Sequence, residues 1–154
     1  MRHIGTGIIA LTFAALSTGV GLAAEHSIPC KDLPSAVQTS SKEAVGNATV
    51  RNCVKEISGG KTTYEMETMR DGRSKDISFA ADGRVLEIEE QVELDSLPSP
   101  VASAFKRASQ GGTLGRIESV THGTTVVSYE GVVVRNGKKS EIAFRPNGNS
   151  MKPD

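Results

Sequence analysis

The chain has 154 residues, and its 18 basic side chains balance its 18 acidic ones to a formal net charge of zero. A balanced chain has no strong field to attract nucleic acid or an anionic membrane, so a nucleic-acid-binding protein is excluded as a class. Aromatic residues make up only 4% of the sequence, which offers little material for a base-stacking platform.

The first 24 residues have the pattern of a secretory signal peptide. A short polar start with Arg2 precedes an apolar stretch over Ile8–Leu16, and Ala23 and Ala24 stand just before Glu25. An uncleaved anchor is the alternative, but the apolar run is interrupted and shorter than the roughly 20 residues a membrane span needs. We therefore expect residues 1–24 to be cleaved, leaving a periplasmic or secreted protein without stable membrane insertion. The remaining 130 residues suffice for one ordinary domain or for two small ones that share a core.

Cys30 and Cys53 are the two cysteines of the chain. Export to an oxidising compartment favours a structural disulfide between them. Its loop of about 23 residues would stabilise the fold by about 3 kcal/mol in the chain-entropy model. A redox-active pair is the alternative, although the Cys-x-x-Cys spacing that lowers a thiol pKa is absent from the sequence.

The mature sequence contains two similar repeats, about 65 residues apart. Residues 33–37 read Leu-Pro-Ser-Ala-Val and residues 97–101 read Leu-Pro-Ser-Pro-Val, and the Phe79 segment that ends in Asp-Gly answers the Phe144 segment that ends in Asn-Gly. We divide the chain into a signal peptide (1–24), a first repeat with a linking strand (25–95) and a second repeat (96–154). In the alignment of the repeats, Leu94 and Ile117 stand where the first repeat has its cysteines.

Each unit predicts a short helix followed by three strands. Asp32 and Ser96 are candidate N-caps ahead of helices that begin near Pro34 and Pro98. The predicted strands cover residues 49–57, 62–70 and 75–80, and then 113–121, 124–135 and 140–145, with Asp-Gly and Asn-Gly as hairpin turns. The expected fold class is α+β, with two tandem helix-plus-strand repeats whose helices lie on one face of an antiparallel sheet.

The linking strand, residues 84–94, carries an acidic row. Alternate residues of a strand point the same way, so one side of this strand forms a negative stripe made of Glu87, Glu89, Gln91, Glu93 and Asp95. The stripe is a candidate surface for a cationic partner or a divalent ion. An ordinary solvated face that discourages aggregation of sheet edges is the other interpretation. A basic cluster of Arg135, Lys138 and Lys139 near a hairpin tip has the same two interpretations.

The Leu-Pro helix starts, the Tyr-Glu pairs at residues 64–65 and 129–130, and the Phe-x-x-Asp/Asn-Gly ends of the third strands resemble the PepSY-like domains of exported bacterial proteins. That family is related in fold to the β-lactamase inhibitor protein. The resemblance implies a helix packed on an antiparallel sheet, a place in the cell envelope and a binding or peptidase-inhibiting role. It implies no catalytic residues. The second unit departs from the pattern at Gly131, inside its second strand.

The sequence offers no organised catalytic, cofactor or metal motif. His26 and His122 have no partner at ligand spacing, and no Gly-x-Ser-x-Gly elbow occurs. We predict a non-enzymatic exported binding module whose partner is an envelope protein or a peptidase, with peptidase inhibition as one form of its action. A structural or stress-related envelope protein that binds cations weakly through the acidic strand is the alternative. No pattern in the sequence indicates a particular oligomeric state.

Overall fold

The computed structural model describes residues 24–152, which form one sheet of nine antiparallel strands in chain order, with two α-helices. The helices are α1 (Ser35–Val45) and α2 (Ser99–Ala108). A 3-10 turn precedes each of them, at Cys30–Asp32 and at Leu94–Ser96. The strands are β1 (Ala24–Ser27), β2 (Thr49–Ser58), β3 (Lys61–Arg70), β4 (Arg73–Ala80), β5 (Val85–Val92), β6 (Thr113–His122), β7 (Thr125–Arg135), β8 (Lys138–Phe144) and β9 (Ser150–Met151).

Two apolar clusters hold the helices on the sheet. Under α1, Val37 packs with Cys53, Ile77 and Phe79, and under α2, Val101 and Phe105 pack with residues of the second half. Because side chains alternate along a strand, the clusters fill one face of the sheet and the other face carries no helix. The α+β class and the antiparallel sheet are confirmed, and pairing of β5 with β6 makes the two halves one continuous sheet.

The elements of the two halves recur at a nearly constant spacing. Thr49 begins β2 and Thr113 begins the equivalent strand β6, and the two strands are equal in length. The spacing between β4 and β8 is larger by a single residue. That extra residue falls at the irregularity in β6–β7 pairing between Val120 and Thr121. Strands β4 and β8 therefore keep equivalent places in the two halves.

The predicted hairpin turns have the positive φ angles that a type I′ turn requires. These angles are 52° and 79° for Asp71 and Gly72, and 49° and 76° for Asn136 and Gly137. Equivalent tight hairpins therefore join β3 to β4 in the first half and β7 to β8 in the second.

Two further turn glycines hold the helices close to the sheet. Gly83 and Gly148 have φ angles of 88° and 82°. A Cβ atom on Gly83 would lie 2.7 Å from the carbonyl oxygen of Ala36 in α1, and one on Gly148 would lie 2.7 Å from that of Pro100 in α2. Both positions therefore exclude side chains for the same two reasons, backbone conformation and contact with the first turn of a helix.

Several sequence-based boundaries were wrong. Asp32 and Ser96 lie inside the 3-10 turns, and the residues that precede the helices are Pro34 and Pro98 in extended conformations. The linking strand is shorter than expected, since β5 ends at Val92. Strands β1 and β9 were not predicted. The predicted signal peptide lies outside the described residues, apart from Ala24 in β1.

The predicted disulfide is present. Cys30 and Cys53 are bonded, which ties the 3-10 turn before α1 to β2. Leu94 and Ile117 lie in the corresponding 3-10 turn and strand, and both belong to the apolar cluster under α2. Apolar side chains of the second half therefore occupy the positions that the disulfide occupies in the first.

Candidate functional site

The face of the sheet without helices, called here the helix-free face, is strongly acidic. The strand pairing places acidic residues on this face from Glu25 on β1 to Glu141 on β8. Basic side chains lie within it at Arg116 and His122 and near its margins at Lys61 and Lys139. Its ten carboxylates are Glu25, Glu56, Glu65, Glu67, Asp76, Glu87, Glu89, Glu118, Glu130 and Glu141.

Like charges stand directly opposite each other on this face. Glu25 pairs with Glu56 across β1 and β2, and Glu118 pairs with Glu130 across β6 and β7. Asp76 stands between acidic partners, since β3 and β5 place Glu67 and Glu89 on either side of it. Directly opposed like charges destabilise a sheet. Such a row is therefore not explained by folding alone.

Three carboxylates meet in the middle of the sheet, where its two halves join. Asp76 on β4, Glu89 on β5 and Glu118 on β6, called here the seam carboxylates, can bring one oxygen each within 4.8 Å of the others. Glu118 is only 6% exposed, whereas Asp76 and Glu89 are half-buried. The seam carboxylates therefore combine burial with mutual repulsion.

Glu118 has local compensation for its burial. Its Oε1 lies 3.2 Å from Nε of Arg116 and accepts a hydrogen bond of 3.1 Å from the hydroxyl of Ser74. The same hydroxyl accepts a 3.1 Å bond from Arg116. Ser74 is itself buried, and its hydroxyl links the side chains of Arg116 and Glu118.

Burial and repulsion hold protons on this face near neutral pH. Burial, with Glu118 as the strongest of several neighbouring carboxylates, raises the pKa of Glu89 to about 8. Burial, followed by repulsion from Asp76, raises the pKa of Glu65 to about 7. For Asp76, burial and Glu118 raise the pKa to about 6 against the opposing effects of a Thr68 backbone hydrogen bond and Arg116. Between pH 6 and pH 8 this face therefore changes its charge.

The acidic stripe predicted from sequence is only partly a single surface. Glu87, Glu89 and Gln91 lie on β5 and point to the helix-free face. Glu93 follows the end of the strand and pairs at 3.4 Å with Arg73. Asp95 lies in the 3-10 turn before α2, because the chain leaves the sheet after Val92.

Two basic features differ from expectation. His122 has no partner at ligand spacing in the sequence, yet its Nε2 lies 2.7 Å from Oε2 of Glu87. Arg135, predicted to belong to a surface cluster, donates hydrogen bonds to the carbonyl oxygens of Ala108 and Gln110 at the end of α2. Lys138 and Lys139 are exposed, as expected.

The seam carboxylates were missed by sequence reasoning except for Glu89. Its two partners lie far from it along the chain, on different strands, and only the strand register brings them together. One pattern could have indicated them, because Asp76 alternates with Ile77 and Glu118 alternates with Ile117. Those alternations place both carboxylates on the face opposite the helices.

No known protein family and no curated relative matches this chain. Solved structures do match it in fold. A BLIP-like protein from Bacteroides fragilis is 23% identical, with a TM-score of 0.60 over 82% of this chain and 86% of that one. A DUF2874 family protein from Bacteroides uniformis is 18% identical, with a TM-score of 0.63 over 77% and 86% of the two chains.

A third match, a proposed periplasmic protein from Bacteroides eggerthii, is 20% identical with a TM-score of 0.63 over 77% of this chain and 86% of that one. The fold is therefore a BLIP-like fold, shared with one protein that is described as periplasmic. Among residues 24–152, no helix is long and apolar enough to cross a membrane.

Proposed function

We propose that this protein is an exported, non-enzymatic binding module that uses its helix-free face to hold a basic segment of an envelope protein. One observation carries the proposal, namely that the strands align carboxylates across the face in directly opposed pairs. A fold that keeps so many like charges side by side is matched by a ligand that supplies the opposite charge. A basic peptidase that is inhibited on binding is one partner of this kind.

The geometry suits the side chains of arginine and lysine. An extended basic segment laid across the strands would place guanidinium or ammonium groups between carboxylates that now repel one another. Asp76 and Glu89 are half-buried, so such a pair would be partly shielded from water and stronger than a surface ion pair. The predicted stripe contributes Glu87, Glu89 and Gln91 to this surface.

Binding of a basic segment should release protons. Glu65 and Glu89, with pKa values of about 7 and about 8, hold protons in the free protein at neutral pH. A cation favours their ionised forms, and so the affinity should increase as the pH rises from 6 to 8. Isothermal titration in two buffers of different ionisation enthalpy measures this release directly.

The proposed binding is tested with a hexa-arginine peptide as the probe and a hexa-glutamate peptide as its control. Replacing Glu65 and Glu89 with Gln should weaken hexa-arginine binding at least about tenfold. A matched variant with Glu43→Gln and Glu90→Gln replaces the same number of carboxyl groups outside the helix-free face and should bind as the parent does. Equal weakening in both variants would show general charge attraction and contradict a site on this face.

The alternative function is weak binding of divalent cations by the acidic strand, and the same proteins can be titrated with calcium to test it. Titration with calcium in place of the peptide should give no saturable heat if the helix-free face binds basic side chains.

The duplicated PepSY-like organisation also belongs to the proposal. It is supported by the recurrence of helix, turn and strand positions at a nearly constant spacing in the two halves.

A further inference from the structure

The outer edge of β8 is unpaired over most of its length within the described chain. β9 pairs only with Ala143 and Phe144, so the backbone of residues 138–142 faces no further strand within residues 24–152. Lys138, Lys139, Ser140 and Glu141 are all exposed. A row of free N–H and C=O groups of this kind is a template for another strand.

The first half of the molecule shows what such an edge accepts. β4 occupies the position in the first half that β8 occupies in the second, and β5 pairs with it in antiparallel fashion along Lys75–Phe79. β5 also packs Ile88 against the apolar cluster under α1. The corresponding place beside β8 is a groove of about 560 Å³ whose lining includes Ala104, Ala108 and Ile142.

The direction of the backbone identifies which residues can bond outward. Arg145 donates its N–H to the carbonyl oxygen of Asn149 at 2.9 Å, on the side of β9. Successive residues of an antiparallel strand direct their hydrogen-bonding groups to opposite sides. Counting back by twos from Arg145, Lys139 and Glu141 offer theirs to the open edge.

We propose that two copies of this chain associate through their β8 edges, antiparallel and about a two-fold axis at Ser140. Lys139 then stands opposite Glu141 of the partner subunit, and the symmetry repeats this pair. Both are residues whose backbone groups face outward, so each pair also exchanges two main-chain hydrogen bonds. Ser140 meets its symmetry mate between the two pairs.

Charge and length select the same register. A shift of one copy by two residues in either direction would oppose Lys139 to itself or Glu141 to itself, which destabilises the pair. The open segment, residues 138–142, is bounded by the Asn136–Gly137 turn and by β9, and its centre is Ser140. The centred register therefore fills the open edge completely without displacing β9.

The groove beside the edge is also used in this arrangement. Lys138 would lie opposite Ile142 of the partner subunit, on the side of the sheet that carries the helices. The aliphatic part of a lysine can cover an apolar surface while its ammonium group stays in water. Ile142, half-buried in the monomer, would be shielded in this way.

Sedimentation analysis of the exported chain over a wide concentration range tests the pairing. Lys139→Glu alone and Glu141→Lys alone should each weaken self-association at least about tenfold, since each turns two attractive pairs into two repulsive ones. The double exchange, K139E with E141K, restores opposite charges at every pair and should restore association. An equimolar mixture of the two single variants should form a heterodimer.

A covalent readout complements the exchange. Cα atoms of a non-hydrogen-bonded antiparallel pair lie about 4.5 Å apart, within the range that a disulfide spans. Ser140→Cys should therefore give a disulfide-linked dimer under mild oxidation, whereas Lys138→Cys, displaced from the axis, should not. A monomer at every concentration, association unchanged by the single variants, or equal cross-linking at both positions would overturn the proposal. If β8 paired with another part of a second copy, the double exchange would not restore association. That result would also overturn the proposal.

Discussion

Glu89 shows how a single residue can oppose the fold that contains it. Its pKa of about 8 in the folded protein lies well above the ordinary value of 4.5, so the folded state binds more protons than the unfolded state between those limits. Stability must therefore fall as the pH rises through this range, and the full penalty is present above pH 8. Glu65 and Asp76 act in the same direction over narrower ranges.

We predict that Glu89→Gln stabilises the protein by about 1–3 kcal/mol at pH 8.5 and has little effect at pH 4, where the carboxyl group is mostly protonated in both states. Urea unfolding at a series of pH values measures the difference. Glu90→Gln is the matched control, because Glu90 points to the other face and pairs with Lys75 at 3.5 Å. A stabilisation that is equal at both pH values would contradict the assigned cause.

The cysteine pair is a second feature at the scale of residues. Because Leu94 and Ile117 stand at the equivalent positions and pack in the apolar cluster under α2, a disulfide and apolar packing can be compared in one molecule. Replacing both cysteines with Ser should lower stability by about 3 kcal/mol. Replacing them with Leu at 30 and Ile at 53 should recover part of that loss through apolar burial.

Thermal unfolding with and without a reducing agent tests this comparison. The Leu and Ile variant should be insensitive to reductant and should lie between the parent and the Ser variant. A Leu and Ile variant no more stable than the Ser variant would show that the first half cannot accommodate the apolar contact. The parent in reductant serves as the control for loss of the bond without a change of side chain.

At the scale of elements, the two halves fill their cores differently. The first half has a small helix residue above a large strand residue, and the second half has the reverse. In the first half α1 has Ser41 where α2 has Phe105, and β3 has Met66 where β7 has Gly131. Met66 fills the core below α1, whereas the ring of Phe105 reaches down to the backbone at Gly131. The departure at Gly131 is thus a compensation for a larger helix residue.

Gly131→Ala should destabilise the protein by about 1–3 kcal/mol, because the added Cβ would lie 2.9 Å from a ring carbon of Phe105. That ring cannot move freely, since it is fully buried and contacts Phe144 edge-on at a centroid distance of 4.9 Å. With Phe105→Leu as the second change, a double-mutant cycle should show that the alanine is tolerated better beside the smaller side chain. Strictly additive losses would contradict the size exchange.

Sequence patterns predicted most elements because their physical causes are local. Alternation around Ile77 and Phe79, and Asp-Gly and Asn-Gly at the hairpins, depend on a few neighbouring residues. The 3-10 turns were missed because Asp32 and Ser96 have the chemistry of helix caps, yet the prolines after them are held in extended conformations before the helices begin. The seam carboxylates and the open edge of β8 depend on register between distant strands, which alternation within one strand does not determine.

At the scale of the whole molecule, β5 joins the two halves. It contributes side chains to both apolar clusters and carries Glu89, one of the seam carboxylates. β5 packs Ile88 into the cluster under α1 and Val92 into the cluster under α2. The seam carboxylates lie on the other face of the same junction, with Asp76 and Glu89 from one half and Glu118 from the other. Apolar burial therefore joins the halves while ionisation tends to separate them.

This opposition predicts that the coupling of the two halves weakens as the pH rises. At pH 5 Glu89 is protonated in the folded state and the repulsion is small, whereas at pH 9 both Asp76 and Glu89 are ionised. Amide hydrogen exchange, corrected for intrinsic rates, should show protection in β5 and β6 falling between these values more than protection in β7 and β8. The Glu89→Gln variant should keep its protection at the seam, because the junction then lacks the charge that drives it apart. A uniform loss across all strands would instead mean that the whole sheet opens as one unit, with the seam carboxylates contributing only to total stability.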